Sequence, residues 1–310
     1  MKKVVWLMLA MLLALGMLAG CGTAGTTEPS ATETASITAT ETAQATPSAA
    51  ESPEEVSLRI VSTVPSATEV LFALGVGDWV VGVDVSSTYP EETANIEKVG
   101  DYNGFDTEKI IALEPDVVFA GNKLQQDQVD QLTGAGLKVV PVDPTVYEDI
   151  ASSITLIGAE VGREAEAAAL NEQIAEMAEA VQAKAAEIAD KPTVYYVMGI
   201  GEYGNWTSGE GSFINDVLEM CGAQCITAGS ESPWMDYPME DLVTADPDIL
   251  IVSGYITEDA LKAEVGYADL TAVQQGHVYF INPDIIERPG PRIGEALETI
   301  QANILTFLGA

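Results

Sequence analysis

Residues able to do covalent chemistry are few in this chain. It carries a single histidine, His277, and three cysteines, Cys21, Cys221 and Cys225. One imidazole cannot build a zinc or manganese site of several histidines. No Gly-x-Ser-x-Gly elbow presents a serine for nucleophilic attack. His277 precedes the apolar run Val278-Tyr279-Phe280-Ile281 and reads as the start of a strand. Cys221 and Cys225 stand four apart with a glycine between them. Outside the cytoplasm they could bridge, or remain two buried thiols. The side chains that stand out serve recognition instead. Trp206 and Trp234 flank loops and offer flat apolar surface. Arg288 and Arg292 could together clamp a carboxylate, although Arg292 reads better as the charge that opens the last helix. Binding without turnover is the expectation, with no catalytic residue, metal or cofactor; a lipid-anchored extracellular enzyme is the distant alternative.

The N-terminal residues indicate where that binding takes place. Lys2 and Lys3 precede an apolar run, Val4 to Leu18, that is too short for a good membrane span. Leu18-Ala19-Gly20-Cys21 follows. This resembles the bacterial lipoprotein box, which implies cleavage before Cys21 and a diacylglycerol on its thiol. Residues 1–20 are then a signal peptide, and the product is extracytoplasmic, held at the outer face of the cytoplasmic membrane. Residues 21–57 hold the lipidated cysteine and a Thr/Ala/Ser/Glu/Pro stretch that cannot bury a core. As a disordered tether, its 33 residues from Thr23 to Glu55 would span roughly 30 Å. The formal charge is −35. A surface this acidic repels nucleic acid and anionic headgroups, which excludes nucleic-acid binding and disfavours a polyanionic ligand.

From Leu58 onward the pattern alternates. Leu58 to Thr63 reads as a strand, and Ser66-Ala67-Thr68-Glu69 as a capping box opening a helix that Gly75 ends. Strands at 80–83, 115–120 and 138–142 alternate with helices at 107–113 and 126–132. A helix over Tyr147 to Val161 is followed, after Gly162, by a run from Arg163 to Asp190 without Gly or Pro. There Leu170, Ile174, Met177, Val181 and Ile188 form an apolar stripe. The alternation then resumes, with strands at 194–198, 248–253 and 278–281, helices at 211–220, 239–244 and 258–265, and a closing helix at 293–308. Such alternation predicts parallel sheets covered by helices. The expected organisation is an N-terminal α/β lobe over 58–146, a helical linker over 147–190 and a C-terminal α/β lobe over 191–310.

Two α/β lobes with central parallel sheets, joined by one long rigid helix and carried on a lipid tether, resemble the substrate-binding proteins of ABC importers. The branch is that for iron-siderophore, haem and vitamin B12 uptake, with the class III periplasmic-binding-protein fold. The resemblance rests on Arg59 to Glu69 and Asp106 to Val118, and covers Leu58 to the C-terminus. Asn205 to Gly209, Asp216 to Gly222, Ser232 to Trp234 and Pro283 to Arg292 are similar to the vitamin B12 members. The resemblance implies cobalamin or a related corrinoid as ligand, with a ferric siderophore or haem as the alternative. It implies Trp206, Trp234 and Tyr102 as aromatic contacts, and Asp284 and Arg288 as polar contacts to corrin side chains. Glu97 and Glu240, one per lobe, match the acids that dock such proteins on a permease. Its partners would be that permease and its ATPase, with the carrier itself a monomer. The sequence departs from the vitamin B12 pattern at Ser86 or its neighbour and near Gly121, where aromatics are expected, and in lacking a cysteine near Gln301, which leaves Cys221 to pair with Cys225 or stay free.

Overall fold

Short runs of β-branched and aliphatic residues, buried on both faces, build the strands. The computed structural model describes residues 57–101, 103–121 and 126–310. The expectations for the leader, Cys21, the tether and Tyr102 lie outside the described residues. In the N-terminal lobe the strands are β1 (Ile60–Ser62), β2 (Val80–Val83), β3 (Glu97–Lys98), β4 (Gly100–Asp101), β5 (Gly104–Phe105), β6 (Val117–Ala120) and β7 (Lys138–Pro141). Five of them form one parallel sheet in the order β3-β2-β1-β6-β7, with Val61 opposite Val118 and Val118 opposite Val139. The pair β4-β5 is a separate antiparallel hairpin. The helices are α1 (Pro65–Ala73), α2 (Thr107–Ala112) and α3 (Gln126–Gly134).

Helix α1 does not begin as the capping-box reading expects. Pro65 occupies the first helical position and Val64 is the N-cap. Ser66 is therefore already inside the helix. Thr68 Oγ1 bonds Ser62 Oγ at 2.9 Å and Val64 O at 3.2 Å, and Glu69 is free to reach elsewhere.

Helices α4 (Tyr147–Val161) and α5 (Glu164–Ala185) follow, separated by the left-handed turn at Gly162, φ 66°. Gly158 lets them close on each other, since a Cβ there would lie 2.5 Å from the Cβ of Ala167. Helix α5 has 22 residues and is about 33 Å long. It starts beside the first lobe, where Arg163 lies over the Trp79 ring 5.0 Å from its centroid. It ends against the second, where Ala185 and Ile188 meet Gly222. Its fully buried stripe is Ala167, Ile174, Ala178, Val181 and Ala185, while Leu170, Met177 and Ile188 are half-buried. Alanines take the central seam because the neighbouring helices approach closely.

The second lobe contains β8 (Thr193–Val197), β9 (Trp206–Ser208), α6 (Phe213–Met220), β10 (Gln224–Cys225), β11 (Trp234–Asp236), α7 (Met239–Ala245), β12 (Ile249–Ser253), α8 (Glu258–Ala263), α9 (Thr271–Gln275), β13 (Val278–Ile281), α10 (Pro283–Ile286) and α11 (Ile293–Leu308). Its main sheet is parallel, ordered β10-β8-β12-β13, with Tyr196 opposite Ile251 and Leu250 opposite Val278. All five residues of β12 are buried, as expected of a parallel strand covered on both faces. Between the two sheets, α1, α4, α5, α6 and α11 share one apolar core that runs from Ile60 and Leu71 through Ile154 and Val181 to Ile214, Tyr196 and Leu297. Separate clusters cover the outer face of each sheet, around Val118 and Leu132 in one lobe and Tyr195 and Tyr267 in the other. The architecture is that of two α/β lobes with central parallel sheets joined by a long helix.

Candidate functional site

In an open parallel sheet the crevice lies at the carboxyl ends of the strands, where the strand order reverses. In the first lobe the reversal falls between β1 and β6, in the second between β8 and β12. Segments leaving β1, β6 and β8, with others from both lobes, line a cleft with two adjoining compartments. One, of about 280 Å³, is lined by Thr63, Val64 and Ser66 after β1, by Gly121 after β6, and by Asp84 and Arg288 among others. The second, of about 570 Å³, is lined by Met198 after β8 and by Trp206, Phe213, Ile214 and Trp234. Asp143, Pro144, Glu287 and Pro289 line both, so the two are continuous.

The aromatic compartment is built on an antiparallel ribbon, β9 with β11, in which Trp206 faces Asp236 and Ser208 faces Trp234. Trp206 and Trp234 are thus diagonal neighbours on one face of the ribbon. They sit in strands, not beside loops as the sequence suggests. A two-stranded pairing across 25 intervening residues has no local signature. Trp206 is 40% and Trp234 36% exposed. Behind them Phe213 meets the Trp234 ring edge-on at 5.8 Å between centroids. The result is a supported apolar wall open to the cleft.

The polar groups come from three places. Asp84, 4% exposed, is held by the Ser87 hydroxyl and by Ser86 N at 3.0 Å. Asp143 follows β7. Glu287 and Arg288 follow the one-turn helix α10, which Asn282 caps by accepting from Asp284 N at 3.0 Å. Pro289 and Pro291 prevent that helix from continuing. Glu287 Oε1 accepts 2.7 Å bonds from Tyr196 Oη and Ser253 Oγ. Burial raises its carboxyl above the usual carboxylate range, against the lowering effect of those two hydroxyls. Sequence reasoning missed Asp84, Asp143, Glu287 and Phe213, whose roles depend on contacts between distant segments.

Arg288 lies on the cleft wall and is already well partnered. It bonds Glu69 at 3.0 Å, Asp284 at 2.7 Å and Thr88 Oγ1 at 3.0 Å. Asp284 is not a lining residue; it meets Arg288 and accepts from Tyr255 Oη at 3.2 Å. Arg292 does more than open the last helix, since its side chain turns to Glu69 and lies over the Tyr89 ring, 3.9 Å from the centroid. Among the described residues the cleft wall carries Asp84, Asp143, Glu287 and Arg288, the last already bonded to Glu69 and Asp284. Ser86 and Gly121 do line the cleft, as small and polar positions.

The remaining expected residues lie apart from it. Glu97 sits beside the carboxyl end of β2 and pairs with Lys109 at 2.6 Å on the surface. Glu240 is exposed in the first turn of α7, shortly after β11. Cys221 and Cys225 are two free, buried thiols with separate partners, in place of the possible bridge. Cys221 Sγ donates to Leu297 O at 3.2 Å, and Cys225 Sγ to Asn215 O at 3.9 Å. His277 stacks edge-on against Phe307 at the amino end of β13.

A cleft between two α/β lobes, walled by aromatic and acidic side chains, is shaped to hold a small molecule. Residues 60–285 match the periplasmic binding protein family, and the chain belongs to it. It is 32% identical to the uncharacterized ABC transporter substrate-binding lipoprotein YvrC of Bacillus subtilis strain 168, over 98% of either chain. It is 35% identical to the vitamin B12-binding protein of Salmonella typhimurium strain LT2, over 76% of this chain and 85% of that one. Among solved structures, the periplasmic haem-binding protein RhuT of Roseiflexus sp. RS-1 superposes with a TM-score of 0.74 at 24% identity, over 81% of this chain and 99% of that one. That last likeness carries the fold, which is class III.

Proposed function

We propose that this chain is the binding component of an ABC importer that captures cobalamin or a related corrinoid in the interlobe cleft and hands it to a permease. The observation that carries the choice of ligand is the charge of the cleft. Asp84, Asp143 and Glu287 line it, and Arg288 is matched by Glu69 and Asp284. Among the described lining residues an anionic ferric chelate or the propionates of haem would meet acids and one guanidinium that is already paired. A corrin is a broad apolar ring fringed by neutral amides. It suits a wall of Trp206, Trp234 and Phe213 with acceptors nearby.

Lipidation of Cys21 would hold the carrier at the outer face of the membrane, a reading supported by the lipoprotein relative. Glu97 and Glu240 would dock the two lobes on the permease, whose ATPase supplies the energy. The carrier works as a monomer and does no chemistry on its cargo. The test is a titration of the full-length protein with cyanocobalamin, followed by tryptophan fluorescence with inner-filter correction, in parallel with haemin and a ferric siderophore. Saturable quenching by cyanocobalamin at micromolar concentration or below supports the reading. A response to haemin or the siderophore alone moves the cargo to the iron branch and keeps the importer role.

A further inference from the structure

Glu69 lies on α1 in the first lobe with a side chain 1% exposed, and both its oxygens are taken by arginines of the second lobe. Arg292 grips it as a fork, Nε to Oε2 at 2.8 Å and Nη2 to Oε1 at 2.6 Å. Arg288 Nη1 adds a third bond at 3.0 Å. Beside this cluster Gly290 packs closely on Ser66, since a Cβ on Gly290 would lie 3.2 Å from the Cβ of Ser66. A buried ion pair of this kind adds little net stability, but removing one partner leaves uncompensated charge. Here the loss would take the carboxylate from Arg292, leaving it the Asp284 carbonyl and the Tyr89 ring, and would leave Arg288 to Asp284 and Thr88, with both side chains 11% exposed. One of them, Arg288, is on the cleft wall; the other is not.

We propose that Glu69 is a positioning residue for ligand binding. It holds the Arg288 guanidinium against the cleft wall and, by gripping Arg292 as well, ties α1 of the first lobe to the start of α11 in the second. A rotation of one lobe about α5 has to break the fork, so the cleft is set before the ligand arrives. The role of Glu69 in affinity rests on the corrinoid reading, while its hold on the lobes does not.

Two measurements on the full-length protein decide the matter. The first is hydrogen exchange of the ligand-free Glu69→Gln variant. Amides of residues 84–90 and 284–293 should exchange at least about tenfold faster, with the β9-β11 ribbon unchanged. The second is the Kd for cyanocobalamin. Glu69→Gln should weaken it by about tenfold or more, and Glu69→Asp, which keeps the charge, should recover part of that. The Glu69→Gln loss should vanish in an Arg288→Gln background and multiply with Trp206→Ala. Wild-type exchange in Glu69→Gln, or a loss that multiplies equally with both partners, overturns the proposal. If Glu69→Gln does not fold, Arg292→Gln, which is off the cleft wall, should give the same exchange pattern, and its absence is equally decisive. If wild type ignores cyanocobalamin, the corrinoid reading fails and the exchange experiment alone judges Glu69.

Discussion

Tyr196, in the middle of β8, and Glu287, just past α10, meet at 2.7 Å between the phenol oxygen and Oε1, and Ser253 adds a second bond to the same oxygen. The sheet of the second lobe thus reaches up to hold an acid at the junction of the two compartments. Burial raises the proton affinity of that acid, with Asp284 adding to the effect and Arg288 opposing it. A carboxyl whose folded pKa lies above its unfolded value holds its proton more tightly when folded. Its stability contribution is full below the unfolded value and is lost as pH rises through the folded one. Glu287→Gln keeps an acceptor for both hydroxyls and removes the charge. The variant should therefore unfold at a higher temperature than wild type near pH 7, with the gap closing as pH falls below about 4. Thermal unfolding of the pair at pH 7 and pH 4 checks this; a gap that does not change with pH shows that the charge is not the cause.

The tryptophans divide affinity from stability. Trp206 and Trp234 are open to the cleft, while Phe213, 4% exposed, is the support beneath. Trp206→Ala or Trp234→Ala should weaken cyanocobalamin binding about tenfold to a hundredfold and shift the melting temperature little. Phe213→Ala should cost about 3–5 kcal/mol of stability through the cavity it leaves. A Trp234→Ala variant that melts as low as Phe213→Ala would make Trp234 a packing residue.

Glu97 and Glu240 stand on different lobes, and neither lines the cleft. Glu97→Arg and Glu240→Arg should each abolish uptake in cells while leaving the Kd within about twofold, because rim charges act on encounter more than on a distant site. Glu97 is paired with Lys109, so Lys109→Ala is the control that should leave uptake intact. Weakened ligand binding in either reversal would remove the docking assignment.

Local signals found the helices that end in local chemistry. The bounds of α4, β13 and α11 are those the pattern predicts, because Gly162 and Gly309 stop the helices in left-handed turns and Val278–Ile281 is an unbroken apolar run. The functional acids were harder to read. Glu69 has the spacing of a capping box, and only the Pro65 start of α1 and two arginines more than 200 positions away show its real use. Asp84 and Asp143 follow ordinary strands, β2 and β7 of one sheet, and they become cleft residues because the carboxyl ends of that sheet open on the crevice. Trp206 and Trp234 were legible as candidates by type, but not as diagonal partners on a ribbon.

The cysteine pair gives the last prediction. Gly222, at φ 93°, turns the chain after α6 so that Cys221 faces Leu297 of α11 while Cys225 enters β10 beneath α6. Burial pushes the Cys221 thiol up to about 12 and raises that of Cys225 as well. At pH 8 the thiolate fraction of Cys221 is then on the order of one in ten thousand, too little for ready attack or oxidation. Neither cysteine should react with an aromatic disulfide reagent in the native protein, both should react once it is denatured, and reductant should leave the melting temperature unchanged. Peptide mapping after alkylation separates these two from Cys21. A melting temperature lowered by reductant, with both thiols blocked in the denatured protein until reductant is added, would show a bridge and a local rearrangement of the turn at Gly222.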